Sequence, residues 1–339
     1  MPKRILVLAT SFLDELLTHP ENEHTGKKML EAIEEESNGE FIVDYQCGRN
    51  PAGKLSPEEL ANVWAVIADL EIYNADLLSR TAFNAGGSLS LIARYGVGYD
   101  SIDIEAAVKY GVLVTNTPAA PTLPTAEWTV STLLDAAGRR IQHHERAGSG
   151  KSKTGPSRLD LSNRTLGIIG TGRIGRKTAE LLSGFNMKIL AYDRFPDSEW
   201  AESTGAEYTD LKQLCRDSDF ITIHTGGNVQ IIGEEELELM RPAAVLVNCA
   251  RGNLVDNRAA YRAVESGKIY GYGLDEIWKE KDLDIKNLNI VTSPHVGSDT
   301  DRGKAAMREG SAKAVYDFFH GKDPENIVNP EVLKDSRKR

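Results

Sequence analysis

The chain has 339 residues, of which 40% are hydrophobic and 27% charged, and a formal net charge of −10. That length fits about two ordinary domains, and that balance excludes intrinsic disorder and collagen-like repeats. The acidic surplus argues against nucleic acid as a partner, because binding a phosphate backbone needs a positive field. A small anionic substrate stays possible, since a local Arg and backbone N–H groups override net charge.

The start, MPKRILVLAT, is charged and then apolar. Its apolar part is too short for a signal peptide and reads as a first strand, Arg4–Leu8. Strand-like runs follow at Glu40–Tyr45, Val63–Ala68, Ser90–Arg94 and Val112–Thr115, with helical segments at Lys27–Glu36, Pro57–Asn62 and Ile104–Tyr110. Pro124 to Ile141 has Val130, Leu133, Leu134, Ala137 and Ile141 at helical spacing and predicts one long helix joining two domains. Ala147–Asp160 is rich in Gly and Ser and reads as a loop. A second set of strand-like runs lies at Leu166–Ile169, Lys188–Tyr192, Phe220–His224, Val245–Asn248, Gly271–Leu274 and Asn289–Thr292. A last helix is expected at Lys304–His320, followed by a charged, frayed tail. This alternation is the signature of α/β folds with parallel sheets. No apolar run approaches the roughly 20 residues of a bilayer span, so no membrane partner is expected. Cys47, Cys215 and Cys249 form no C-x-x-C pair. Neither a disulfide scaffold nor a metal site is expected, and a cytoplasmic location is.

The clearest motif is Gly170-Thr171-Gly172-Arg173-Ile174-Gly175, placed between a buried strand and an apolar helix face. Gly170 allows the tight turn, Gly172 lets the backbone approach a pyrophosphate, and Gly175 lets the helix pack closely on the sheet. The helix N-terminus supplies N–H groups to the phosphates. Asp193 ends the next strand, where a carboxylate accepts from the adenosine ribose hydroxyls and repels a 2′-phosphate. The expected cofactor is therefore NAD.

Ligands bind beyond the carboxyl ends of strands in such sheets. That rule gathers His224 and Thr225, then Cys249, Ala250 and Arg251, then Asp275 and Glu280, then His295. The set suits hydride chemistry on a hydroxy acid. An imidazole is suited to proton exchange near neutral pH, so His295 can exchange the hydroxyl proton. Glu280 would orient its ring, and Arg251 offers a planar fork for a carboxylate. Asp275 is expected to hydrogen-bond the nicotinamide carboxamide. Contact with NAD and simple packing are open for His224. Cys249 reads as a small buried neighbour of the cofactor, since no base is evident beside it. His19, His24, His143, His144 and His320 read as solvated or structural.

The stretches RYGVGYDSIDIEAA, VLVTNTP, LGIIGTGRIGRKTAELL, VLVNCARGNLVD, YGLDEIWKE and TSPHVGSDT together resemble the NAD-dependent D-isomer-specific 2-hydroxyacid dehydrogenase family over nearly the whole length. The resemblance implies an α/β chain of two doubly wound parallel-sheet domains. One is a Rossmann-type NAD-binding domain (118–298), and the other a flavodoxin-like substrate domain (1–117 and 299–330), with 331–339 as a tail. It implies an active site in the cleft between them and a homodimer. The family's catalytic Arg, Glu and His fall on Arg251, Glu280 and His295. Its substrate-carboxylate loop falls on Gly96-Val97-Gly98, with Val97 and Gly98 as substrate contacts beside Arg251 and His295. NAD contacts fall on Gly170, Gly172, Arg173, Ile174, Gly175, Asp193, His224, Thr225, Cys249, Ala250, Arg251, Asp275 and His295. The chain departs from the family where Lys281 replaces a common Pro, where Glu276 replaces a common Val, and where Thr225-Gly226-Gly227-Asn228 shortens the loop after His224. Arg94, before the glycine loop, reads as solvent-facing by default. The expected reaction interconverts a D-2-hydroxy acid and its 2-keto acid, of the phosphoglycerate or hydroxypyruvate/glyoxylate type. Alternatives are an NAD-sensing dimeric regulatory protein, or a dehydrogenase of an unusual donor such as phosphite.

Overall fold

The structure is a computed structural model that describes residues 1–14, 25–48, 53–151, 157–227 and 229–336. His19, His24 and Asn228 lie outside them. The chain divides into two units, Met1–Pro121 with Asp299–Arg339, and Thr122–Ser298. The first unit carries β1 (Lys3–Val7), α1 (Thr25–Glu36), β2 (Phe41–Tyr45), β3 (Val63–Ala68), α2 (Ala75–Thr81), β4 (Leu91–Arg94), α3 (Ile104–Tyr110) and β5 (Leu113–Thr115). The second carries α4 (Thr122–Gly138), α5 (Arg140–Gly148), β6 (Thr165–Ile169), α6 (Arg173–Leu181), β7 (Lys188–Tyr192), α7 (Ser198–Thr204), β8 (Glu207–Tyr208) and α8 (Leu211–Asp217). It continues with β9 (Phe220–Ile223), α9 (Glu234–Leu239), β10 (Val245–Asn248), α10 (Asn257–Glu265), β11 (Gly271–Leu274) and β12 (Ile290–Thr292). The chain then returns to the first unit with α11 (Asp301–Phe319) and α12 (Glu331–Ser336).

The first sheet has the order β2-β1-β3-β4-β5 and is parallel throughout. This is the flavodoxin-like doubly wound order. The second has the order β12-β11-β10-β9-β6-β7-β8, also all parallel. It is the Rossmann order with one strand added, and it reverses between β6 and β9. Each sheet is buried on both faces, which is why its strands are apolar without alternation. In β1, Ile5 and Val7 enter one core while Leu6 enters the other. In β10, Leu246 faces one core and Val245 and Val247 the opposite one.

Four local expectations change. The helix expected across Pro124–Ile141 is two helices, α4 and α5. Arg139 enters the left-handed region at φ 48°, and its guanidinium stacks 4.6 Å from the centre of the Tyr270 ring. Pro57–Asn62 forms turns rather than a helix. Ser56 and Glu59 exchange capping hydrogen bonds, but Asn62 turns left-handed at φ 57° and β3 begins at once. The part of Ala147–Asp160 that is described opens with the end of α5. The segment read as a tail, 331–339, contains α12, whose Val332 is buried against the first core. The buried Asn329 ties it down, accepting from the Val114 N–H at 2.8 Å and donating to the Val112 carbonyl at 2.9 Å. The first unit thus extends past residue 330, and its first segment runs to Pro121. Among the described residues, no helix is long and apolar enough to cross a membrane.

Candidate active site

The Gly170–Gly175 loop leaves β6 at the point where the strand order reverses. Gly170 has φ 95°, and a Cβ there would lie 2.9 Å from the backbone of His224 and Thr225. A Cβ on Gly175 would lie 2.1 Å from the Gly170 carbonyl oxygen, so α6 packs on the loop at a distance only glycine permits. Gly172 faces open space at the start of α6. Arg173 is exposed beside it and Ile174 is half-buried in the same first turn.

Asp193 follows β7 and accepts from the Thr171 N–H at 2.7 Å and the Phe195 N–H at 2.9 Å. Partial burial works against its charge, but these donors outweigh it and hold the carboxyl below its usual range. Asp193 therefore also fixes the shape of the glycine loop. The half-buried His224 has both ring nitrogens buried without a hydrogen-bond partner among the described residues. Burial alone lowers its pKa to about 3, so the ring is neutral. Buried, unpartnered polar atoms beside a glycine cradle fit a ligand with hydrogen-bonding groups. Thr225 follows, half-buried.

Past β10, the buried Asn248 holds the Cys249–Arg251 turn. It donates to the Arg251 carbonyl at 2.8 Å and accepts from the Ala250 N–H at 3.1 Å. Its value was not legible in the sequence, where it reads only as the end of a strand. Burial pushes the Cys249 thiol up to about 12, against hydrogen bonds with Thr129 and Thr132. It is no nucleophile at neutral pH. Arg251 is half-buried, with Nη1 donating to the Ala250 carbonyl at 2.9 Å.

Past β11, Asp275 is buried and gathers three protein donors. They are the Ser293 hydroxyl at 2.6 Å, the Val296 N–H at 2.9 Å and the Gly297 N–H at 2.8 Å. Trp128 on α4 donates to the Ser293 hydroxyl at 3.1 Å. The resulting clamp fixes residues 293–297, including His295, whose side chain is 46% exposed. His295 sits in the left-handed region at φ 59°, a conformation that persists only where neighbours enforce it. Asp275 thus has a structural task beside the carboxamide contact expected of it.

The carboxylate nearest the His295 imidazole is Glu276, with Oε2 3.8 Å from Nδ1. Glu280, expected to orient that ring, forms no ion pair with it among the described residues. Its Oε2 is buried and unpartnered. The difference arises because Glu276 is fixed by its bond to the clamped Asp275, whereas Glu280 lies in irregular chain beyond β11.

In the first unit, the Gly96–Gly98 loop follows β4. Gly96 has φ 131°, donates its N–H to the Thr117 hydroxyl at 2.9 Å and accepts from the Thr117 N–H at 3.0 Å. Asn116 donates to the Val97 carbonyl at 2.8 Å. The Val97 and Gly98 N–H groups have no protein acceptor among the described residues. Arg94 is not solvent-facing: it is buried beneath this loop, donating to the Tyr95 carbonyl, and a Cβ on Gly96 would lie 3.2 Å from its Nη1. Of the remaining histidines, His320 bonds Glu36 at 2.7 Å, tying α11 to α1.

A Rossmann sheet with this glycine loop and an acidic residue after its second strand defines a dinucleotide-binding domain. Residues 130–297 match the family model for the D-isomer specific 2-hydroxyacid dehydrogenase, NAD binding domain. A glyoxylate reductase of Thermococcus litoralis is 40% identical over 332 residues, covering 94% of this chain and 96% of that one. A D-3-phosphoglycerate dehydrogenase of Methanocaldococcus jannaschii is 35% identical over 283 residues, covering 81% of this chain and 54% of that one. A crystal structure from Thermus thermophilus, the TT0316 protein, superposes with a TM-score of 0.77 at 29% identity over 96% of this chain and 99% of that one. The chain belongs to the D-isomer specific 2-hydroxyacid dehydrogenase family. It is an NAD-dependent oxidoreductase of 2-hydroxy acids.

Proposed function

We propose that the protein interconverts a small D-2-hydroxy acid and its 2-keto acid, of the glyoxylate or hydroxypyruvate type, with NAD(H). Bound NADH supplies the hydride that the carbonyl carbon receives. His295 as imidazolium gives the proton to the carbonyl oxygen, and as neutral imidazole takes it back in the reverse direction. Arg251 and the Val97 and Gly98 N–H groups take the substrate carboxylate, the guanidinium adding charge where the oxyanion develops. Glu280 assists as a second carboxylate of the set. NAD is held by the Gly170–Gly175 loop with Arg173 and Ile174, by Asp193, by His224 and Thr225, by Cys249 and Ala250, and by Asp275.

The observation that carries the reading is the clamp. Three donors on one buried carboxylate hold a strained, exposed histidine at the carboxyl end of the sheet, whereas a packing histidine needs no exposure. The glyoxylate-type substrate is supported by the Thermococcus litoralis relative over nearly its full length. A homodimer and a cytoplasmic location complete the proposal. Leu123 and Leu134 on α4 and Ile141 on α5 are exposed apolar side chains that a second copy would cover, and all three cysteines are unpaired.

The test follows NADH absorbance with glyoxylate, hydroxypyruvate, pyruvate and 3-phosphohydroxypyruvate, using the wild type and His295→Asn. Asparagine keeps the left-handed backbone. Turnover should fall by about 100- to 10,000-fold in the variant with NADH affinity retained. Undiminished turnover removes His295 from its role. NADH binding without turnover of any acid returns the regulatory or phosphite-type readings.

A further inference from the structure

Thr171, between the first two glycines of the Gly170–Gly175 loop, has every polar group engaged by the protein. It is buried, and its N–H and its hydroxyl both donate to Asp193 Oδ2, at 2.7 and 3.2 Å. Its carbonyl accepts from Arg176 Nε at 2.6 Å. Its hydroxyl oxygen also lies 2.7 Å from the Tyr208 hydroxyl. A threonine hydroxyl carries one hydrogen, and a carboxylate only accepts. With that hydrogen given to Asp193, Tyr208 is the donor to Thr171. The result is a directed chain from Tyr208 through Thr171 to Asp193, in which each bond polarises the next.

The far end of this chain is held as well. Tyr208 lies on β8, where it stands opposite Ala191 of β7, the strand that Asp193 follows. Trp200 on α7 packs against the Tyr208 ring, with centres 6.0 Å apart. Arg176 on α6 lies 5.6 Å from the centre of the Trp200 ring and pairs with Asp197, before α7, at 2.7 Å. The other oxygen of Asp193 accepts from the Phe195 N–H at 2.9 Å, so both ends of the carboxylate are fixed. Arg194, next to it, is exposed, with its guanidinium 6.0 Å from the centre of the Phe195 ring. A cation that a phosphate would draw thus stands beside the carboxylate that repels one.

We propose that Thr171 and Tyr208 are positioning residues for Asp193, and that their hydroxyl chain sets how strongly the protein prefers NAD to its 2′-phosphorylated form. A 2′-phosphate adds negative charge where Asp193 stands, so it is admitted only if the carboxylate turns away. The Thr171 hydroxyl, ordered by Tyr208, raises the cost of that turn. Once the carboxylate turns, Arg194 offers the phosphate a partner. This rests on the reading of Asp193 as the acceptor of the adenosine ribose hydroxyls.

The test measures NADH and NADPH dissociation constants by fluorescence on the full chain, in the wild type, Thr171→Val, Thr171→Ser, Tyr208→Phe and Asp193→Asn. The readout is the NADPH constant divided by the NADH constant. Loss of a hydrogen bond to a charged group should lower this ratio by about 10-fold in Thr171→Val. Tyr208→Phe acts one bond further away and should lower it by about 3-fold. Tyr208 is only half-buried, so this variant carries the test if the buried Thr171→Val does not fold. Thr171→Ser keeps the hydroxyl and should keep the wild-type ratio. Equal weakening of both cofactors, or a lower thermal midpoint with the ratio unchanged, marks a merely structural role and overturns the proposal. A serine variant that behaves like the valine variant overturns it too. The underlying reading fails separately, when Asp193→Asn itself leaves the ratio at the wild-type value.

Discussion

The two glycine loops, Gly96–Gly98 and Gly170–Gly175, both leave the carboxyl end of a parallel strand, yet they are built on different principles. In the second loop glycine creates proximity. Gly175 lies against the Gly170 carbonyl, and the start of α6 stands open at Gly172. In the first loop glycine creates direction. Gly96 at φ 131° turns the chain, its N–H is spent on Thr117, and the buried Arg94 braces the loop from below. In the proposed function one loop offers a helix end to a long anion, while the other offers two N–H groups to a short one. The same residue type serves two backbone geometries because the surrounding side chains differ.

Substitutions that separate proximity from direction break this comparison. The largest effect is expected for Gly175→Ala, where the new methyl group must displace α6 or the loop. Overpacking of this kind costs about 3 kcal/mol, so NADH affinity measured by fluorescence should fall by about 100-fold and the thermal midpoint should drop. Retained affinity would show that the close approach is not needed. A smaller effect is expected for Gly96→Ala. Alanine at that φ costs about 1 to 2 kcal/mol and crowds Arg94. KM for the keto acid should rise by about 10-fold while NADH affinity stays as in the wild type. Equal changes in both constants would deny the loops separate tasks.

The last effect concerns stability rather than binding. Glu71 follows β3 in the first unit and is 2% exposed, with Oε2 accepting from the Asp69 N–H at 2.8 Å. Burial raises its carboxyl pKa to about 7. A raised folded-state value favours the protonated form, so its contribution is fully present below about pH 4.5. It is lost as pH rises through about 7. Glu71→Gln should therefore stabilise the protein at pH 8, by roughly 2 kcal/mol, and by little at pH 4. Urea titrations at the two pH values measure this. Equal shifts at both would place the effect elsewhere than in ionisation.

Much of the fold was legible because its signals are local. Val63–Ala68, Ile104–Tyr110, Lys188–Tyr192, Val245–Asn248 and Gly271–Leu274 match the observed elements residue for residue. Both sheets follow from alternating strands and helices. Helices α2 and α12 were not read from the sequence. The Asn74 cap on the Leu77 N–H and the Asn329 tie to β5 are what fix them. The long joining helix was misread because its apolar period continues past Arg139, where the backbone turns left-handed.

The site divides in the same way. The sequence by itself determined the Rossmann loop, the acidic residue after β7, and the residues that end each strand, because these depend on spacing along the chain. Tertiary structure decided what each of them touches. Asp275 reaches residues 293–297 across two parallel strands, Arg94 turns under its own loop, and His295 faces Glu276 rather than Glu280. Those contacts depend on how separate strands stand beside one another and on where side chains turn once buried. Neither is written in the order of residues.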